Sequence, residues 1–160
     1  MNEKNPLQDK TILAVDDEPD VLEAISEELD MCSVVKMTAY DEALEYLKEN
    51  RVDMAILDIM GVNGLELLKH AVERNIPSVM LTAHALSMDT LKKSIDMGAR
   101  AYIPKEKIPE LVPILEDVVT MEHRDAWERL FDRVGEIFNV TLGSDWKKHV
   151  IEVGPFVVPK

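Results

Sequence analysis

The sequence predicts a doubly wound α/β fold: a parallel five-stranded sheet with a helix after each strand, (βα)5, plus a C-terminal helical extension. Two observations carry that expectation. Between residues 11 and 121, short apolar runs alternate strictly with segments of helical periodicity, which is how a parallel sheet supplies its crossovers. The apolar runs are also nearly continuous instead of alternating, as expected for strands covered on both faces.

The elements follow in order. Thr11-Ile12-Leu13-Ala14-Val15 is a first strand running into Asp16-Asp17. Pro19 suits a first helical position, and Val21, Leu22, Ile25 and Leu29 keep helical spacing behind it. Ser33 to Met37 reads as a second strand, and Asp41 to Glu49 as a helix with Ala43, Leu44 and Leu47 on one face. Met54-Ala55-Ile56-Leu57 leads into Asp58. A turn from Gly61 to Gly64 then opens a helix carrying Leu65, Leu67, Leu68, Ala71 and Val72. Pro77 precedes a fourth strand, Ser78 to Thr82, and a helix from Ser87 to Met97 stops at Gly98. Ala101-Tyr102-Ile103-Pro104 runs into Lys105, and a last helix begins near Pro109. Right-handed crossovers leave few topologies for such a chain, and the flavodoxin-like strand order is the expected one.

Three regions result: a polar N-terminal segment over 1–10, the α/β domain over 11–121, and an extension over 122–160. In the extension Ala126, Trp127, Leu130, Phe131, Val134, Ile137 and Phe138 keep helical spacing, while residues 122–125 are polar all round. One long helix with a solvated turn, or two helices hinged there, both fit. The segment from Gly154 to Pro159 reads as irregular or briefly extended.

With 31 acidic against 18 basic residues the net charge is −13, a field that repels phosphate backbones, so no nucleic-acid partner is expected. The extension holds seven acidic and six basic residues and has no basic stripe. No apolar stretch approaches the ~18–20 residues needed to cross a bilayer, and residues 1–6 lack an apolar signal core. The single cysteine, Cys32, excludes an intrachain disulfide and fits a reducing compartment. No membrane association and a cytoplasmic location are the expectations.

If the strands are parallel and adjacent, Asp16, Asp17, Asp58 and Lys105 meet in the crevice at the sheet's carboxyl edge, where ligands of open α/β sheets bind. Carboxylates held so close repel one another unless a cation intervenes. Mg²⁺ suits them, because it takes oxygen ligands and commonly uses one or two carboxylates. Asp17 and Asp58 would be direct ligands and Asp16 a direct or water-mediated one. Asp58 can accept a phosphoryl group as an acyl phosphate, with the metal and Lys105 offsetting charge on the transferring oxygens. Thr82 would offer its hydroxyl to the new phosphoryl group.

Val15-Asp16-Asp17-Glu18-Pro19, Ile56-Leu57-Asp58-Ile59-Met60, Leu81-Thr82-Ala83 and Tyr102-Ile103-Pro104-Lys105 resemble, in order and spacing, the receiver domain of two-component response regulators. The resemblance implies that Asp58 is the phosphoacceptor for a histidine kinase or phosphotransfer protein. It implies that Asp16, Asp17, Asp58 and the Met60 backbone carbonyl bind Mg²⁺, that Thr82 and Tyr102 form the switch pair, and that Lys105 contacts the phosphoryl oxygens. Such a domain is a switch that assists its own phosphorylation and dephosphorylation, not a turnover enzyme. It signals to a downstream protein through the face of the last two β/α units. The extension would then serve homodimerisation or partner binding.

One departure stands beside the acceptor. Receivers usually follow it with a Met-Pro pair and reach the next glycine two residues later than Gly64 does here. Gly61 is expected to supply the permissive backbone that a tighter turn needs. Met60 and His84 match positions that tune the lifetime of the acyl phosphate, and an apolar Met60 would prolong it. The missing pair also leaves a phosphorylation-independent interaction module as the competing reading. A phosphatase ranks last, because Met60 stands where a second acid would be needed.

Taken singly, these residues also have ordinary structural explanations. Asp16-Asp17 could be a helix cap, Thr82 a strand terminus, Tyr102 a half-buried strand aromatic and His84 an exposed loop residue. Cys32 reads as a buried small residue, and His70, His123 and His149 show no metal spacing. The stripe from Trp127 to Phe138 reads as a face packed on a neighbour, either its own domain or another chain.

Overall fold

The computed structural model describes residues 5–83 and 87–157. The apolar runs form β1 (Thr11–Val15), β2 (Ser33–Met37), β3 (Met54–Asp58), β4 (Ser78–Thr82) and β5 (Ala101–Pro104). All neighbours pair in parallel in the order β2-β1-β3-β4-β5, the flavodoxin-like arrangement. Every residue of β3 and β4 is buried, which is why those runs carry no alternation. At the edge, β2 leaves Ser33 and Lys36 exposed.

The connecting helices are α1 (Pro19–Glu28), α2 (Tyr40–Glu49), α3 (Gly64–Glu73), α4 (Met88–Asp96) and α5 (Leu111–Thr120). Helices α1 and α5 pack together, as do α2 and α3. Pro19 opens α1 as its first residue. Ser87 caps α4, its Oγ accepting from Thr90 N at 3.1 Å. The last crossover starts later than its proline suggests. Lys105–Glu110 forms a 3₁₀ turn containing Pro109, and α5 begins only at Leu111. A proline disfavours the α conformation in the residue before it, here Ile108, so a regular helix waits until the ring is passed.

Of the two pictures for the extension, the hinged one is found. Helix α5 ends at Thr120, Met121 and Glu122 are extended, and α6 (His123–Leu142) runs for 20 residues. Gly143, at a φ of 92°, ends α6. A short helix the periodicity did not signal, α7 (Trp146–Val150), follows, and Gly154–Phe156 closes in a 3₁₀ turn instead of an extended segment.

The apolar face of α6 lies on its own domain. Ala126, Trp127, Leu130, Phe131, Val134 and Phe138 are buried, and α6 contacts β5 and α5 while α7 and the final turn contact α4. Trp127 Nε1 and His123 Nε2 both reach Ala99 O at 3.2 Å, using the two lone pairs of one carbonyl just before β5. Asp117 on α5 meets Arg129 and Arg133 of α6 at 3.6 and 3.7 Å. The side chains of Phe131, Phe138, Trp146 and Phe156 form one aromatic cluster, with Trp146 edge-on to Phe131 and Phe138 at 4.9 Å each. Among the described residues no helix is long and apolar enough to cross a membrane.

Removing the Trp127 ring, which is fully buried and hydrogen-bonded, should therefore cost about 3–5 kcal/mol of unfolding free energy in Trp127→Ala. Val140→Ala, at a position 88% exposed on the same helix, should stay within about 0.5 kcal/mol. Urea denaturation followed by far-ultraviolet circular dichroism compares the two.

His123 gives a pH signature. Burial pushes its imidazole below the usual 6.5, and Arg100 adds to that against the Ala99 carbonyl. Its contribution to stability is complete above 6.5 and is lost as pH falls through the lowered folded value. Denaturation between about pH 7.5 and about pH 5.5 should show a loss in the wild type that is smaller in His123→Gln.

Candidate functional site

The parallel register places the functional side chains. Val15 pairs with Leu57, Asp58 with Leu81 and Thr82 with Pro104, so the residues ending or just following these strands gather at one edge. Asp16 is fully buried and Asp58 is 4% exposed, while Asp17 stands exposed at the mouth. Single carboxylate oxygens of Asp16, Asp17 and Asp58 lie within 4.8 Å of one another. Lys105 Nζ reaches Asp16 Oδ2 at 2.8 Å and Asp58 Oδ1 at 3.4 Å. A cleft of about 300 Å³ opens above them, lined by Asp17, Glu18, Asp58, Met60, Gly61, Ala83 and Lys105.

Three carboxylates therefore share one ammonium, because Glu18 Oε2 also contacts Lys105 Nζ, at 3.3 Å. Sequence reasoning gave Glu18 no role; its signal was the third consecutive acid after β1. Burial pushes the Asp16 carboxyl above its usual pKa of 3.8, with Asp58 adding to it. Lys105 and the Glu18 amide, which donates to Asp16 Oδ1 at 2.9 Å, only partly offset the rise. Burial alone would lower the Lys105 ammonium, but Asp16, Asp58 and Glu18 hold it above its usual 10.5. The Lys105 shift expresses the negative charge gathered around its ammonium, whereas the Asp16 shift is mainly a cost of burial.

The donor set fits a hard divalent ion, since every side chain in the acidic group offers oxygen. Asp16 Oδ2 is buried and lacks an aligned hydrogen bond despite its charge contact with Lys105, so an acceptor lone pair remains available. Thr82 Oγ1 is likewise buried, beside the Tyr102 hydroxyl.

The short loop after β3 is achieved differently from the expectation. Gly61 does not adopt a left-handed backbone; the positive φ in this loop belongs to Asn63, at 53°. Gly61 is required instead by close approach, because a Cβ there would fall onto the Asp17 carboxylate. That approach brings Gly61 N to 3.2 Å from Asp58 Oδ2, where it donates. The two oxygens of Asp58 thus face different partners, Lys105 on Oδ1 and the Gly61 amide on Oδ2.

Other singled-out residues lie away from the cleft. Met60 sits on its rim with the side chain 70% exposed. Tyr102 is fully buried, not half-buried, behind the cleft with its hydroxyl 2.6 Å from Thr90 Oγ1; burial pushes the phenol above its usual range. Cys32 is half-buried and donates to Leu7 O at 3.2 Å. His70 and His149 stand beside Glu73 and Asp145, and among the described residues none of the histidines joins a metal-ligating group. His84 lies outside the described residues.

A 2-1-3-4-5 parallel sheet with acids at the ends of β1 and β3 and a lysine after β5 defines a doubly wound domain with an acidic pocket at its carboxyl edge. Residues 12–116 match the response regulator receiver domain, and the chain belongs to that family of two-component signalling proteins. It is 35% identical over 101 residues to the response regulator GtcR of Aneurinibacillus migulanus, covering 60% of this chain and 41% of that protein. It is 33% identical over 154 residues to the phosphate regulon transcriptional regulatory protein PhoB of Klebsiella pneumoniae, covering 91% of this chain and 64% of PhoB. The chain thus spans less than two thirds of either relative. Among solved structures, a response regulator from Thermotoga maritima superposes with a TM-score of 0.63 at 22% identity, covering 70% of this chain and 98% of that one, a likeness of fold.

The close packing of Gly61 on Asp17 leads to a sharp expectation. Gly61→Ala should displace the Asp17 carboxylate and weaken Mg²⁺ binding by about tenfold or more while leaving the fold intact, since Gly61 is exposed. Calorimetric titration with Mg²⁺ beside a thermal melt measures both.

Proposed function

We propose that the protein is a phosphorylation-controlled switch that accepts a phosphoryl group on Asp58 from a histidine kinase or phosphotransfer protein. The observation that carries this reading is the setting of Asp58: nearly buried, gripped through both oxygens by Lys105 and the Gly61 amide, at the floor of an open cleft. In the transfer, an Asp58 carboxylate oxygen forms the new O–P bond as the donor's N–P bond breaks, leaving an acyl phosphate. Lys105 then faces a phosphoryl oxygen, and the buried Thr82 hydroxyl at the end of β4 donates to another.

Asp16, Asp17, Asp58 and the Met60 backbone carbonyl would hold Mg²⁺, which when bound neutralises charge on the phosphoryl oxygens. The chain's own residues orient the carboxylate and restrain its charge, so the protein acts as a switch and not as a turnover enzyme. The phosphorylation-independent reading rests on the missing Met-Pro pair alone; against it, every charged pocket residue is present and the cleft beside the loop is open. The partners are a phosphodonor protein and a downstream protein, in the cytoplasm, with neither nucleic acid nor membrane bound. A homodimer through the C-terminal helix would have to use the outer side of α6, since its apolar side is occupied.

Incubation with Mg²⁺ and acetyl phosphate, followed by intact-mass measurement, should give one phosphoryl adduct on the wild type and none on Asp58→Ala. Lys105→Ala should form the adduct about a hundredfold more slowly. An unmodified wild type with Mg²⁺ binding confirmed would reject the proposal.

A further inference from the structure

The break between α5 and α6 has no local cause. Residues 114–134 contain neither glycine nor proline, and Met121 and Glu122 are good helix formers. Helix α5 ends without a left-handed residue, since Met121 is extended at φ −106° and ψ 158°. Glu122, at φ −57° and ψ 147°, makes no side-chain cap for α6. In one continuous helix the amides of residues 122–125 would bond the carbonyls of residues 118–121. The bent chain forgoes those bonds. Among the described residues only Val118 O of that set gains a side-chain donor, Arg100 Nη2 at 3.3 Å.

What bends the chain lies outside the hinge, in the docking of the extension. Trp127 and His123 hold Ala99 just before β5, and Arg129 and Arg133 face Asp117 on α5. The Phe138 ring packs edge-on against Tyr102 with centroids 6.1 Å apart, and Lys92 on α4 meets Glu152 at 3.7 Å. Each of these contacts joins a residue at or beyond 123 to one at or before 117. None of them depends on the two sides belonging to one chain.

We propose that the extension exchanges between two copies of this chain: α5 and α6 join into one helix, and residues 123–156 of each copy dock on the α/β domain of the other. Both arrangements bury the same apolar face, and the exchanged one also forms the hinge hydrogen bonds. Against that gain stands the freedom that two copies lose on pairing, so exchange grows with concentration. Reciprocal exchange about a two-fold axis fills both domains and closes the assembly as a dimer. With each extension docked on its own domain, a dimer is confined to the outer side of α6; exchange lifts that restriction. The inference is independent of the phosphoacceptor reading of Asp58.

Lys92 and Glu152 supply the readout, because a carbodiimide couples an amine to a carboxylate that it touches. The full chain, unlabelled and ¹⁵N-labelled in equal amounts, is unfolded in urea, refolded together at high concentration, cross-linked and separated by size. In the dimer about half of the Lys92–Glu152 links should join unlike isotopes, and in the monomer none should. Glu122→Pro tests the hinge. The φ at Glu122 suits proline, Met121 before it is already extended, and the Glu122 amide donates no hydrogen bond among the described residues. Proline therefore fits the bend and forbids the continuous helix. It should leave the thermal melt of the monomer unchanged and lower the dimer fraction by about tenfold or more. A wild type that stays monomeric, or a dimer whose links all join like isotopes, overturns the exchange. A Glu122→Pro chain that exchanges as readily as the wild type overturns the joining of α5 and α6.

Discussion

The crowding of negative charge around a single ammonium is the constraint on which the rest of this molecule turns. Asp16 and Asp58 are almost without solvent, and among the described residues Lys105 is the one cation in contact with both. Buried charges of like sign persist only where partners or fixed dipoles hold them. Here the parallel register holds them, by ending β1 and β3 side by side and bringing the residue after β5 back over both. The raised value of Lys105 expresses the negative charge gathered around its ammonium, and that of Asp16 is mainly a cost of burial. The fold thus stores an electrostatic conflict at its carboxyl edge, and a divalent ion would relieve it.

The short loop after Asp58 belongs to the same constraint. The backbone of this loop comes down onto Asp17 at Gly61, and only a glycine tolerates that contact. The consequence is a main-chain donor on the Asp58 oxygen that Lys105 does not face. A loop that reads in the sequence as a threat to the chemistry supplies, in three dimensions, a second contact to Asp58.

The extension matters because of where it lies. All the phenylalanine and tryptophan of the chain falls after residue 122, and their rings close over β5 as one cluster continuous with the domain core. The domain and its extension therefore share a boundary that is apolar and tight, centred on Tyr102 and Phe138. A polar hinge at Met121 and Glu122 lets α6 turn back across α5 instead of continuing it into solvent.

Strand order, the acidic pocket and its lysine were readable from the residues alone. Continuous apolar runs, helical periodicity and strand-terminal acids are local patterns, and parallel topology leaves few ways to assemble them. What residues 122–160 pack against was not readable, because an amphipathic stripe records that a face is buried and not which surface buries it. The reason Gly61 is a glycine was equally hidden, since close approach involves Asp17, distant in sequence, whereas a left-handed turn would have been local. Glu18 joined the lysine for the same reason: its contact spans 87 positions of chain. Sequence by itself determined the elements and the chemistry they carry. Only the tertiary structure decided which surfaces meet, because contacts between distant segments depend on shape and charge that no local pattern encodes.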